Sequence, residues 1–340
     1  MPLVVTLICG RARRFATGER PGKMILMTRR AREVLGAYPE LAAVLVAAVI
    51  GLAVQRPLAW LAARQGINVL LVILVFATAV TIDPRALRRL AAAWRRILAA
   101  VLTGVTVLPA LSWAVAHLVP AGPLRDGVLV TGLAPCEIAS VATTALAGGE
   151  AAVAAGVLVG STLATVILAA PILSLEAGQA GSSAGFSTGG VIENLAVVVA
   201  LPLAAGIALR SWPSPVSRAL ATGRAETAAS RTALAAVAAL VALVAAEVHL
   251  SASYAAVAGA LALFLAASAV FGRVLGVRSA RPTGSALLLT TSMRDFAIAA
   301  ALAAAAFGPQ AAAPLGLYGI AVLVWGTAAA GALRARAGSP

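Results

Sequence analysis

The chain has 340 residues, 61% of them hydrophobic and 11% charged, with a mean hydropathy of +0.98. A soluble domain carries about a quarter charged residues, and apolar runs of bilayer-crossing length recur along the whole chain, so it reads as a multi-pass membrane protein. The net charge of +14 does not point to nucleic acid: 25 of the 26 basic residues are arginine, and no basic patch has interleaved aromatics.

Residues 1–38 do not have the form of a signal peptide. The short run "PLVVTLIC" is followed by "GRARR", the reverse of the usual charge order. The segment is expected to be a basic cytosolic tail, or to precede a true start at Met24 or Met27. Apolar runs between charged or Pro/Gly punctuation then give ten spans. They lie near 40–55, 66–82, 97–119, 127–147, 151–175, 191–210, 229–248, 252–272, 283–306 and 311–333. With a cytosolic N-terminus, inside segments hold 22 of the 26 basic residues, and outside loops hold only Arg56, Arg64 and Arg125. That asymmetry fits the positive-inside rule, with both termini cytosolic in the plasma membrane.

Between the second and third spans, "DPRALRRLAAAWRR" at 83–96 predicts an interfacial helix. Asp83 is a suitable N-cap, Pro84 fits the first helical position, and Leu87, Leu90 and Trp94 share a face. The Gly/Ser-rich stretch 176–190 reads as a flexible outside linker joining two halves, 39–175 and 191–333, with 334–340 as a cytosolic tail. Five spans per half make the second half inverted, a common transporter design. The predicted fold is therefore all-α and polytopic, with about ten transmembrane helices in two inverted five-helix repeats. Its fourth and ninth spans are expected to be broken and to cross.

Two acidic residues are deep in apolar sequence: Glu137 in the fourth span and Asp295 in the ninth, 158 residues apart. Pro135 removes a backbone donor and disfavours helix at Ala134. Small hydroxyls cluster nearby: Thr131, Ser140, Thr143 and Thr144 in one segment, Thr290, Thr291 and Ser292 in the other. Interrupted helices are tolerated in a membrane only where their backbone is buried or lines a cavity, so the two segments are expected to meet at mid-bilayer depth. Arg294 stands beside Asp295, and helical neighbours do not face each other. Since each mid-span charge costs about 2.5–3.5 kcal/mol, Arg294 is expected to pair with Glu137 across the site. The three ionised groups sum to −1, which one proton or one monovalent cation neutralises.

Cys136 is a free thiol beside Glu137 and a candidate metalloid ligand. Cys9 is far away in sequence, and no disulfide or zinc spacing exists, so no metal site is expected. His117 and His249 fall near span ends and read as interfacial. Glu150 reads as a turn and helix-capping residue. No nucleophile with a positioned base appears inside a span, so the chain is not read as an enzyme.

The stretch "GLAPCEIASVATTALAGGEAAVAAGVLVGSTLATVILAAPIL", 132–173, resembles the bile acid/sodium symporter superfamily. The likeness rests on Pro135, Ala139-Ser140, Leu146-Ala147, Gly149-Glu150, Ser161-Thr162-Leu163 and Pro171; "TSMRDFAIAAALA" resembles the family's second broken span. The resemblance implies a panel domain, a core domain with crossing broken helices, bound sodium, and alternating-access transport of organic anions. Departures fall on the sodium ligands. Ser140 is followed by Val141 where the family has a Ser-Asn pair, and hydroxyl ligands fall near Ala154 and Leu158. The acidic ligand falls near Thr290, and an amide pair becomes Arg294-Asp295. An always-charged guanidinium in place of sodium implies proton coupling or uniport. The expected binding residues are Glu137, Ser140, Thr143, Thr290, Thr291, Ser292, Arg294 and Asp295. Expected partners are a small anionic substrate, a coupling proton or sodium, and the lipid bilayer. The arsenite exporters, a sister group, offer an alternative: "GLAPC" and the acid at Asp295 are similar to their pattern, and efflux of a metalloid oxyanion would employ Cys136.

Overall fold

A computed structural model describes residues 39–82, 93–179, 188–212, 219–220, 222–248 and 252–337. Cys9, His249, the basic tail 1–38 and most of the interfacial-helix and linker segments lie outside the described residues. The chain divides into two units, 1–43 and 44–340; the packing described here is that of the second.

The described residues are helical, with no strand among them. In chain order the helices are α1 (Pro39–Ala53), α2 (Gln55–Leu61), α3 (Ile67–Thr81), α4 (Trp94–Val105) and α5 (Val107–Ala116). There follow α6 (Pro123–Val130), α7 (Ala139–Leu146), α8 (Ala151–Gln179), α9 (Thr188–Leu195) and α10 (Leu201–Ser211). The last five are α11 (Gly223–Ala246), α12 (Ser253–Gly276), α13 (Arg281–Ser292), α14 (Phe296–Phe307) and α15 (Ala313–Ala337).

Seven described segments are long and apolar enough to cross a bilayer: Gln55–Thr81, Trp94–Ala116, Ala151–Leu175, Gly189–Ser211, Gly223–Ala246, Ser253–Gly276 and Pro309–Arg336. They overlap seven of the ten predicted runs. The other three runs are short or divided. The apolar part of α1 is only Ala42–Ala53. The fourth run is split into α6 and α7, and the ninth into α13 and α14. A 12-residue helix rises about 18 Å, short of the roughly 30 Å hydrocarbon core.

Several boundaries differ from expectation. The segment read as an outside loop before the second span is helical: α2 leads through a π-helical turn, Ala62–Gly66, into α3. A kink at Arg64 and Gln65, the latter at φ 66°, redirects the chain, and the Arg64 guanidinium lies 4.2 Å above the Trp60 ring. The edges of the expected linker, 176–179 and 188–190, belong to α8 and α9, and Arg334–Ala337 extends α15. Trp94 opens α4 rather than ending a separate helix.

Helix α3 lies chiefly against α10 and α11, while α12 packs on α13 and α4 on α8. The core is aliphatic and small-residue rich, and nine of the twelve residues of α14 are buried. Buried helices without a water-driven partner associate by close backbone approach. Gly272 provides one such approach: a Cβ there would meet the Leu288 Cα at 2.9 Å.

Candidate functional site

The first break is written by Pro135. Helix α6 runs into a 3-10 turn, Thr131–Leu133, and Ala134 turns extended at φ −65°, ψ 150°. A residue before proline is pushed out of the helical region, so this departure is local chemistry. The chain resumes helix at Ala139, where the Ser140 N–H donates to the Glu137 carbonyl at 3.0 Å.

No proline writes the second break. Helix α13 ends at Ser292, Met293 is extended (φ −92°, ψ 108°), and Asp295 is extended as the N-cap of α14. Its Oδ1 accepts from the Ala297 and Ile298 N–H groups, both at 2.9 Å. Aspartate is among the favoured N-caps because it satisfies amides that have no intrahelical partner. Arg294 and Asp295 are therefore not charges inside a continuous helix; they occupy the gap between two.

The two breaks cross antiparallel. Glu137 N–H donates to the Met293 carbonyl at 2.8 Å, Asp295 N–H donates to the Pro135 carbonyl at 2.9 Å, and Cys136 faces Arg294 between them. Each break thus satisfies main-chain groups that the other has left orphaned, as a dry interior requires.

Side chains pin both gaps, several of them from a long helix that follows. On the first, Cys136 N–H donates to Ser161 Oγ at 3.1 Å and Thr165 Oγ1 donates to the Leu133 carbonyl at 3.2 Å, both from α8. On the second, Trp325 Nε1 donates to Ser292 Oγ at 2.9 Å. The Tyr318 hydroxyl donates to the Ser292 carbonyl at 3.5 Å and accepts from Arg294 N–H at 3.3 Å, both residues being on α15.

Glu137, Arg294 and Asp295 converge here, each no more than 2% exposed. The expected Arg294–Glu137 pair does not form. Arg294 Nη2 instead donates to two main-chain carbonyls, Ala134 at the first break and Gly104 in α4 at 3.5 Å. Both carbonyls are at helix ends, where acceptors lack intrahelical donors, so the guanidinium meets an unmet need there. It lies flat over Gly104, whose added Cβ would be 3.1 and 3.3 Å from the two Nη atoms. Glu137 reaches the opposite half: its Oε2 accepts from Phe296 N–H at 3.4 Å. The leading amides of α14 are thus occupied by carboxylates.

Of the other predicted residues, Ser140 is buried with its Oγ 3.5 Å from Cys136 Sγ, and Ser292 joins the second gap. Thr143 and Thr290 turn their hydroxyls back onto their own helices, onto the Ala139 and Ala286 carbonyls, and do not join the charged cluster by hydrogen bonds. Thr291 Oγ1 is buried without a hydrogen-bond partner. Sequence reasoning missed Gly104, Tyr318 and Trp325 as site residues. Aromatics with polar edges in an apolar run were the available signal for the last two, since a buried Tyr or Trp seeks a partner. Glu150 does sit just before α8, and it also accepts from Thr283 Oγ1 at 2.8 Å, joining α8 to the start of α13.

The crossing is packed rather than open. Beside it lies a small, mainly apolar cleft lined by Val75, Thr78 and Ile82 of α3, Leu158 and Thr162 of α8, Val199 and Leu203, with Ile138 and Ile298 just past the two breaks. Cys136 is a buried free thiol. Among the described residues no three His, Cys, Asp or Glu side chains gather as a metal site would require.

A polytopic helical protein with two broken segments crossing over buried charges has the architecture of a secondary transporter core. The chain matches the sodium bile acid symporter family over residues 68–258, more than half its length, and belongs to that family of membrane transporters. The matched segment contains the first break and α8; Arg294 and Asp295 lie beyond it. No curated protein matches the chain significantly.

Proposed function

We propose that this protein is a secondary active transporter of a small organic anion, working by alternating access in the plasma membrane with both termini cytosolic. Its ten spans form two inverted five-span repeats. The second repeat follows the first at an offset of 158 residues, which maps Pro135, Cys136 and Glu137 onto Met293, Arg294 and Asp295. The reciprocal hydrogen bonds across the crossing obey that same offset, and this supports the repeat. The extensive packing of α3 with α10 and α11 supports a panel, which meets the core where α3 touches α14 and α11 touches α15.

The family's usual sodium site is largely replaced. Arg294 is a tethered cation held by main-chain carbonyls, much as a bound ion would be, and Glu137 with Asp295 serves a proton. The observation that carries the reading is this fixed charge cluster, buried where two helices break.

Uptake into proteoliposomes tests it, using a panel of carboxylates and sulfonates with sodium and pH gradients imposed separately. Anion uptake driven by the pH gradient and indifferent to sodium is the expected result. Strict dependence on a sodium gradient would overturn the coupling. Absence of anion exchange across the panel would overturn the transporter assignment.

A further inference from the structure

The first three amides of α14 all end on carboxylates. Phe296 N–H donates to Glu137 Oε2, and the Ala297 and Ile298 N–H groups donate to Asp295 Oδ1. Two acids from opposite breaks therefore meet at one helix N-terminus, both buried. Asp295 Oδ2 is buried as well and has no hydrogen-bond partner.

Of the groups facing this pair, Arg294 Nε is buried without a hydrogen-bond partner, and the others are engaged elsewhere. Arg294 places Nη2 on the Ala134 and Gly104 carbonyls and forms no ion pair with either acid. The Tyr318 hydroxyl sits between Arg294 N–H and the Ser292 carbonyl, and the Cys136 thiol lies against Ser140 Oγ and the Glu137 carbonyl. A helix N-terminus offers roughly half a positive charge. The leading amides of α7, at Ile138 and Ala139, face the same two acids, so the ends of α7 and α14 both converge on the pair while Arg294 makes no ion pair with either. Two like charges at one desolvated site cannot both ionise without a large penalty, and they titrate as a pair.

We infer that Glu137 and Asp295 share one proton, and that this proton is the coupling ion, one per transport cycle. The inference rests on the transporter reading above. With the proton bound, Arg294 and the remaining carboxylate cancel; without it the site carries −1. The proton binds a carboxylate oxygen from whichever side the crossing faces and leaves unchanged on the other. A monoanion carried with it crosses without net charge.

The experiment uses full-length protein in proteoliposomes with voltage held at zero by valinomycin and equal potassium, and radiolabelled pyruvate, benzoate and taurocholate as probes. Across a step of about one pH unit, one proton per anion sustains about ten-fold accumulation, and two would sustain about a hundred-fold, since each 1.4 kcal/mol is a factor of ten. Asp295→Asn and Glu137→Gln keep an oxygen for the α14 amides but cannot exchange a proton. Each is expected to lose pH-driven accumulation completely, and the proton-to-anion ratio of the wild type separates loss of coupling from loss of transport. Hundred-fold accumulation by the wild type, or full pH-driven accumulation by either variant, would overturn the shared proton while leaving the transporter reading intact. Absence of wild-type counterflow with all three probes would instead remove the reading beneath it. Should a variant fail to insert, proton entry per anion, followed with trapped pyranine in the wild type, still decides: a ratio of one supports the inference and any other overturns it.

Discussion

Glu137 and Met293, 156 residues apart in sequence, are joined main chain to main chain by a 2.8 Å hydrogen bond, and Asp295 returns the same bond to Pro135 at 2.9 Å. This reciprocal pairing lets two helices stop in an apolar interior without stranding their amides and carbonyls. It also fixes which side chains share the gap, and the expected outcomes below follow from it.

Arg294 satisfies two buried carbonyls as well as supplying charge. Arg294→Ala is expected to abolish anion uptake while leaving membrane insertion largely intact. Each stranded carbonyl costs about 1–3 kcal/mol, so a lower thermal midpoint in detergent should accompany the loss. Arg294→Lys keeps the charge but not the planar fork, and should recover little activity. Normal uptake by Arg294→Ala would remove the guanidinium from the mechanism.

Gly104 sets the seat of that guanidinium. A methyl group at 104 would approach Nη1 to 3.1 Å, tighter than ordinary contact, and a branched side chain would displace it. Gly104→Val should therefore reproduce the Arg294→Ala uptake defect although it touches no titratable atom, with Gly104→Ala intermediate. Wild-type uptake kinetics in Gly104→Val would show that the guanidinium position is not critical.

Trp325 steadies the second break through one 2.9 Å bond to Ser292 Oγ, a hydroxyl that also donates to the Leu288 carbonyl. Trp325→Phe keeps the ring and removes the donor. A stability loss of about 0.5–1.5 kcal/mol is expected, read by chemical or thermal unfolding in detergent. An unchanged midpoint would show that the bond contributes nothing.

Cys136 separates the anion-transport reading from metalloid efflux. Its thiol is buried against Ser140, and no second thiol stands beside it among the described residues. Cys136→Ser is a near-isosteric change and is expected to leave anion uptake within about two-fold of wild type, since small volume-conserving swaps perturb packing least. In an arsenite-sensitive host, neither form should confer resistance. Protection by the wild type that Cys136→Ser loses would support efflux instead.

The sequence by itself determined the class of molecule and much of its plan. Apolar length marked seven of the spans, because a helix needs about 20 apolar residues to cross the bilayer. Pro135 wrote the first break into the chain, since a proline cannot continue the hydrogen-bond ladder. Glu137 and Asp295 stood out because isolated acids in apolar runs are costly. The partners of those charges were decided only in three dimensions. The Ala134 carbonyl is left free by a local break, but whether Glu137 or that carbonyl receives Arg294 depends on how the breaks cross and on the absence of a Cβ at Gly104. Helix α13 has Pro282 and Gly284 near its start but no breaker near its end, so its stop at Ser292 became legible only with Asp295 seen as a cap and with Tyr318 and Trp325 placed from α15. Composition and periodicity act along the chain, whereas the contacts from Tyr318 and Trp325 join residues more than twenty positions apart, and only tertiary packing sets their geometry.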